Sequence, residues 1–391
     1  MQISTQVAII GSGPAGLLLG QLLTRAGIDN VILDRVQPDY ILSRVRAGLL
    51  ESGTVSVLQQ ADAATRLQEE GLDHHGFHFA YEGKTNRIDL RKYARRSMTV
   101  YGQTEVTRDL MDARASDGAR GFYGAENVVP AGYDTDTPHV TFDHGGQAVR
   151  LSCQLIAGCD GFHGVCRPSI PAKAISEFEK VYPFGWLGIL ADVPPVDEEL
   201  IYATHDRGFA LCSMRSRTRS RYYVQCPAED DVDAWSDDRF WDELRRRLPE
   251  HVAQTVITGP SFEKSIAPLR SFVAEPMRFG RMCLLGDAAH IVPPTGAKGL
   301  NLAVSDVHYF FDAAREFCLD RSSAGLDAYS ERALARVWKA VRFSWWMTAM
   351  THVIPQDGAF GRRIQRAELD YVLGSDNAMA GVAENYAGLP F

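Results

Sequence analysis

Gln6-Val7-Ala8-Ile9-Ile10 runs straight into Gly11-Ser12-Gly13-Pro14-Ala15-Gly16, and the reading of this junction decides the fold. The mainly apolar run predicts a buried parallel strand. Pro14 to Arg25 has helical spacing and stops at Gly27, where a C-cap glycine belongs. Val31–Asp34 predicts the next strand and ends in an acid about 20 residues past the glycines, as a dinucleotide fingerprint requires. Each glycine has its own task. Gly11 makes the tight turn, Gly13 admits a pyrophosphate to the backbone, and Gly16 lets helix approach strand. The helix N-terminus offers free N–H groups to phosphates, and Asp34 is placed to accept from an adenosine ribose. An ordinary glycine-rich turn is the alternative, which the flanking strand, helix and acid disfavour.

A second glycine-punctuated loop says which dinucleotide. Gly286-Asp287-Ala288-Ala289-His290 follows the apolar run Met282-Cys283-Leu284-Leu285 and continues through Pro293-Pro294-Thr295-Gly296-Ala297-Lys298-Gly299-Leu300-Asn301. A flavin dinucleotide is long and needs protein at both its adenosine and its isoalloxazine end. Two such loops some 270 residues apart therefore point to FAD. Leu155-Ile156-Ala157, breaking into Gly158-Cys159-Asp160-Gly161, is a further strand and turn of the same kind.

The 391 residues predict an α/β chain with mixed α+β parts and more than one structural unit. A Rossmann-like FAD-binding domain with a parallel sheet occupies residues 1–177, with a segment near 75–100 contributing to the next unit. A sheet-based substrate domain covers 178–285, with strand-like Gly208–Ser213 and Arg221–Gln225 and a helical stretch over Asp237–Leu248. Residues 286–391 hold the flavin-contacting loop and a helical part. Its aromatics Trp338, Phe343, Trp345 and Trp346 read as core or as an oligomer interface.

Composition sets limits. With 45% hydrophobic and 23% charged residues the chain reads as globular, and a net charge of −8 argues against a nucleic-acid partner. Seven scattered cysteines without a CxxC pair read as small hydrophobes in a reducing compartment, and no metal site is expected. Val7–Leu23 is apolar, but no Lys or Arg precedes it and glycines interrupt it. It reads as strand, turn and helix rather than a leader or membrane segment, and a cytoplasmic location is expected.

Ser213-Met214-Arg215-Ser216-Arg217-Thr218-Arg219-Ser220-Arg221-Tyr222-Tyr223 invites a hairpin reading. A turn around Thr218 sets Ser213 opposite Tyr223 and Arg215 opposite Arg221, all four on one face. Two arginines face to face repel unless an anion is near, and with a Ser and a Tyr hydroxyl beside them a carboxylate suits the place. A solvated basic edge strand is the alternative.

Together, Gly11–Gly16, Arg44-Val45-Arg46-Ala47-Gly48, Cys159-Asp160-Gly161-Phe162-His163-Gly164, Tyr182-Pro183-Phe184-Gly185-Trp186, Gly286–Asn301 and Ala383-Glu384-Asn385-Tyr386 resemble the 4-hydroxybenzoate 3-monooxygenase family of single-component FAD-dependent aromatic hydroxylases. The resemblance implies NADPH- and O2-dependent hydroxylation of 4-hydroxybenzoate to 3,4-dihydroxybenzoate through a flavin C4a-hydroperoxide. It implies that Ser213, Arg215 and Tyr223 hold the substrate carboxylate and that the Pro294 carbonyl orients the phenol. Tyr202 would bond the phenol, Tyr386 would continue a proton relay, and His74, near its outer end and by itself only a surface histidine, would exchange the proton with solvent. Such a relay makes chemical sense, because a phenolate ring is a far better nucleophile than a phenol.

For tightly bound, non-covalent FAD the resemblance implies contacts from Gly11, Gly13, Gly16, Asp34, Arg44, Arg46, Gln103, Asp160, Arg221, Asp287, Gly296, Gly299, Leu300 and Asn301. No second GxGxxG exists, so NADPH is expected on the surface at Arg35, Tyr40, Arg44, His163, Arg167 and Arg270. A homodimer is expected from the C-terminal aromatics. Two departures stand out: Asp34 replaces the family's usual Glu, and Val36 replaces a polar residue, which leaves NADH tolerance open. Three rival readings differ in outcome. They are a related hydroxylase for another aromatic acid, including a second hydroxylation of 3,4-dihydroxybenzoate; a flavin oxidase or dehydrogenase; and a binding protein that has lost its flavin.

Overall fold

A computed structural model describes residues 1–43 and 48–391, so Arg44 and Arg46 lie outside the described residues. Val7–Ile10 sits inside a six-stranded sheet ordered Arg278–Phe279, Met282–Leu284, Leu155–Gly158, Val7–Ile10, Asn30–Asp34 and Gly121–Tyr123. All its pairings except the outermost one, Arg278–Phe279 with Met282–Leu284, are parallel. All four residues of Val7–Ile10 are buried, as the unbroken apolar run requires. The helix Pro14–Arg25 packs against Gln103–Ser116 and Gly299–Arg315. Gly11 and Asp34 thus emerge from the C-terminal ends of adjacent strands, where doubly wound sheets place their ligands.

The second layer is an eight-stranded sheet. Its order is His290–Ile291, Ser261–Glu275, Ser176–Ala191, Arg219–Pro227, Ala210–Ser216, Leu200–Ala203, Gly76–Tyr81 and Lys84–Asp89. Only the pair Leu200–Ala203 with Gly76–Tyr81 is parallel. Both faces are covered. On one, Leu187, Ile189, Tyr222 and Val224 meet Phe240, Trp241 and Leu244 of the helix Asp237–Arg247. That helix is framed by its sequence: the Ser236 hydroxyl accepts from the Arg239 N–H at 3.2 Å, two acids open it and three arginines close it. The opposite face carries Phe77, Phe79, Trp186, Tyr202, Phe209 and Tyr223, packed against C-terminal helices through Phe343, Met347 and Tyr386.

Two smaller sheets have no counterpart in the sequence reading. Gln2–Ser4 pairs with a meander over Glu126–Ser152, and Leu49–Leu50, Met98–Val100 and Leu72–His74 form a three-stranded patch. Their strands are two to six residues long, too short to impose a clear period. The chain finishes with helices Gly299–Arg315, Ala324–Thr351, Gly358–Gly374 and Asp376–Ala387. None of the described helices is long and apolar enough to cross a membrane. Among the described residues no His, Cys, Asp and Glu cluster could hold a metal ion.

Candidate active site

Glycines test whether a dinucleotide fits the first crevice. A side chain on Gly11 would collide with the Cys159 carbonyl, and one on Gly16 with the Gly11 carbonyl, so protein packing explains both. Gly13 is different. Its φ of −68° suits any residue, and a Cβ there would meet nothing within 4 Å. Gly299, at the start of its helix, is equally open. Bare backbone facing open space at both loops is what a flat ligand and its phosphates need. Asp287 is exposed at the same mouth, and Gln103 is half-buried at the start of its helix.

Three cofactor expectations acquire detail. The Asp34 carboxylate accepts from the Ser12 N–H at 2.7 Å, the Ser12 hydroxyl at 2.6 Å and the Val36 N–H at 3.1 Å. It braces the glycine turn, with lone-pair capacity left for a ribose. The Asp160 carboxylate accepts from the Cys166 N–H at 2.8 Å, and its second oxygen is buried without a partner. Asn301 has a saturated side chain. Its amide donates to the Leu49 and Ala297 carbonyls, and its oxygen accepts from the Glu51 N–H and the Thr54 hydroxyl. Only its backbone N–H, in the first helical turn with that of Leu300, is left for a flavin.

The hairpin forms with a different register. Ser213 lies opposite Arg221 and Leu211 opposite Tyr223, while Arg215 is the extra residue of a bulge. The expected pairs Ser213–Tyr223 and Arg215–Arg221 are therefore wrong by two residues, because the turn is tight, between Ser216 and Arg219. A shift of two preserves the face, so Ser213, Arg221 and Tyr223 still point the same way. The anion expected between the arginines is partly built in. Glu263 pairs with Arg221 at 2.7 Å. Arg215 donates to the Ser213 hydroxyl at 3.1 Å and keeps a buried, unpartnered Nε. Burial depresses the Arg215 pKa, whereas for Arg221 the neighbouring Tyr223 and Glu263 outweigh burial. Gly188, opposite Tyr223, makes room for the ring, since a Cβ would lie 2.6 Å from Tyr223 Cδ1.

Register puts the hydroxyl residues on the same face. Phe79, Tyr202, Leu211, Tyr223 and Gly188 form one cross-strand row. The Tyr202 and Tyr386 hydroxyls are 2.8 Å apart and fully buried, and burial drives both phenol pKa values up. Phe77 stacks on Tyr386 at 4.1 Å. Pro294 is exposed, and its carbonyl accepts from the Ala297 N–H at 2.9 Å. His74 corrects an expectation. It is 3% exposed rather than a surface residue, at the end of the short strand Leu72–His74; neither ring nitrogen has a partner, and burial lowers its pKa.

Sequence reading missed the residues that join these parts. Lys298 donates to Glu51 at 2.7 Å and to the Tyr386 carbonyl at 2.9 Å, and Arg336 reaches the same Glu51 at 2.8 Å. His290 and Asp306 form a second buried pair at 2.6 Å, and Asp306 also accepts from the Gly286 N–H. Burial disfavours the charge on His290, but Asp306 raises its pKa. Partners up to 285 residues apart leave no local signal.

Of the surface cations, Arg167 and Arg270 converge on the Phe162 ring at 4.6 and 4.7 Å, with His163 exposed beside it. Each arginine has a carboxylate partner, Glu177 and Glu179 respectively. Arg35 and Tyr40 are exposed at the other loop, after the Asp34 strand.

Comparison with known proteins agrees with this geometry. Residues 4–344 match the FAD binding domain family, so the fold and cradle define an FAD-binding flavoprotein. Over 390 residues the chain is 56% identical to the p-hydroxybenzoate hydroxylase of Acinetobacter baylyi (strain ATCC 33305 / BD413 / ADP1), covering 100% of this chain and 96% of that protein. The chain belongs to that family of FAD-dependent aromatic monooxygenases. A rifampicin monooxygenase from Rhodococcus hoagii is 26% identical, over 77% of this chain and 62% of its own length. The crystal structure of p-nitrophenol 4-monooxygenase PnpA from Pseudomonas putida DLL-E4 shares the fold, with a TM-score of 0.81, 16% identity and full coverage of both chains.

Proposed function

We propose that the chain hydroxylates 4-hydroxybenzoate at the 3-position, using NADPH and O2, to give 3,4-dihydroxybenzoate. One observation carries the reading: Ser213, Tyr223 and Tyr202 share one sheet face, with Tyr202 and Tyr223 in the same cross-strand row, Arg215 bonded to Ser213 and Tyr386 bonded to Tyr202. A ring with a carboxylate at one end and a hydroxyl at the other suits both. The p-hydroxybenzoate hydroxylase of A. baylyi supports the same substrate by its name.

Arg215 supplies charge and Ser213 and Tyr223 supply hydroxyls to the carboxylate. At the other end the Tyr202 oxygen takes the phenolic proton as its own passes to Tyr386, which makes the ring more nucleophilic. His74, neutral and with both ring nitrogens unpartnered, is the outward acceptor. The Pro294 carbonyl orients the phenol. Gly11, Gly13, Gly16, Asp34, Gln103, Asp160, Asp287 and the 296–301 backbone would hold FAD, which when bound would supply the redox chemistry that links NADPH oxidation to O2. Arg221 lies beside the flavin, and Arg35, Tyr40, His163, Arg167 and Arg270 receive NADPH. The relay's burial excludes bulk water from the reacting oxygen.

Exposed Trp338, Trp345, Phe360, Ile364 and Tyr371 on the C-terminal helices support a homodimer, and a monomeric mass in solution would contradict it. A cytoplasmic setting completes the reading. The decisive experiment incubates FAD-loaded protein with NADPH, air and 4-hydroxybenzoate, and compares 3,4-dihydroxybenzoate formed with NADPH consumed. Near-equal amounts are expected. NADPH loss without product would move the substrate to another aromatic acid.

A further inference from the structure

The two ends of the pocket are built from different elements, yet both are fastened to the last turn of the helix Ala324–Thr351. On the carboxylate side, Trp186 Nε1 donates to His352 Nε2 at 2.6 Å. Trp186 in turn packs against the Tyr223 ring at 5.0 Å. Gln225, the cross-strand neighbour of Trp186, accepts from the Val353 N–H at 3.1 Å and donates to the Val353 carbonyl at 2.6 Å. On the phenol side, the Thr348 and Thr295 hydroxyls meet at 2.9 Å, and Thr295 follows Pro294.

The bonding fixes the direction of each link. His352 Nε2 accepts from Trp186, so the ring proton is on Nδ1, facing the Thr348 carbonyl at 3.1 Å and the Thr351 hydroxyl at 2.9 Å. The Thr351 hydroxyl donates to the Met347 carbonyl and Thr348 to the Ser344 carbonyl, so Thr295 donates to Thr348. His352 is stacked on Phe184, Phe209 and Trp186, at 4.9, 4.2 and 5.8 Å. It has no carboxylate partner, and it works as a neutral acceptor. One helical turn, from 348 to 352, spans about 6 Å of axis and bridges the two walls without flexible links.

We propose that this turn is a strut that sets the separation between the carboxylate clamp and the Pro294 loop, with Thr348 and His352 as positioning residues. By holding the two walls at one separation, the strut favours a ring whose hydroxyl is para to its carboxylate. The inference rests on the substrate reading above.

The two attachments have separable signatures. Thr348→Val keeps the volume but removes the Thr295 acceptor, so the Pro294 loop loosens. Product per NADPH is expected to fall about threefold to tenfold, with KM for 4-hydroxybenzoate little changed. Thr348→Ser, which keeps the hydroxyl, is expected to restore the ratio. His352→Leu frees Trp186 and is expected to raise KM by a similar factor, and His352→Gln, which keeps an acceptor, to stay near wild type. FAD content and near-ultraviolet circular dichroism identify any variant that has not folded, and for those the conservative pair alone decides. A Thr348→Val enzyme with the wild-type product ratio overturns the strut, as does a Thr348→Ser enzyme no better than Thr348→Val. If wild type makes no 3,4-dihydroxybenzoate, the substrate reading fails first and the strut falls with it. The two failures are therefore distinct.

Discussion

In the proposed site, the two ends solve opposite problems. At the clamp end, Arg215, Arg221 and Glu263 leave an excess of positive charge, with hydroxyls from Ser213 and Tyr223 around it. At the relay end, Tyr202 and Tyr386 sit among Phe77, Phe79 and Phe209, and burial keeps both phenols protonated. On that reading, charge provides affinity at the first end. At the second, a fixed charge would hold the proton in one place, and neutral hydroxyls let it move. On the proposed reading, binding and activation are thereby assigned to different residues of one site.

That division can be broken from either side. Arg215→Ala is expected to weaken 4-hydroxybenzoate binding by about 10²–10³-fold, the loss typical of removing one partner from a desolvated charge pair. Titration of the flavin spectrum with substrate measures it, and binding within a few fold of wild type would mean that the carboxylate lies elsewhere. Tyr202→Phe is expected to bind substrate and consume NADPH while hydroxylation falls by about 10²-fold. Full product yield in that variant would remove the relay.

Two smaller effects sharpen the comparison. Gly188→Ala pushes a methyl against Tyr223 and is expected to raise KM about tenfold with the product ratio intact, a loss confined to the clamp end. The last concerns stability. Burial holds the His352 pKa to about 3, against 6.5 for a free imidazole. The unfolded chain therefore binds a proton that the folded chain refuses, and stability falls as pH drops below 6.5 towards 3. Replacing His352 by Gln removes this contribution. Between pH 7 and 5 the variant is expected to lose about 2 kcal/mol less than wild type in chemical denaturation. Parallel pH curves for the two proteins would show that His352 is not the group responsible.

The FAD cradle was legible because backbone makes it. Glycines at 11, 13, 16, 296 and 299 announce themselves at fixed spacing, and the strands around them are continuous apolar runs. The substrate pocket was legible only in part. The shared face of Ser213, Arg221 and Tyr223 was read correctly, because faces depend on parity, but the pairing and the place of Arg215 were not, because a bulge leaves no mark in residue types. His74 sits in a patch of two- and three-residue strands, which are below the length at which a burial pattern appears in sequence. Lys298, Glu51 and Arg336 could not be linked in advance, since only the folded chain brings residues 51, 298 and 336 together.

The 2.8 Å contact between Tyr202 and Tyr386 has one further consequence, for timing. Either oxygen can be the donor, so the pair exists in two senses with the same heavy atoms. Each proton passed outward reverses both O–H bonds and leaves the pair pointing the wrong way for the next. Two rotations must follow before another proton can leave by this path. In the proposed relay the pair would have to be reset after each outward transfer, and the tight aromatic packing around it would set how fast that happens.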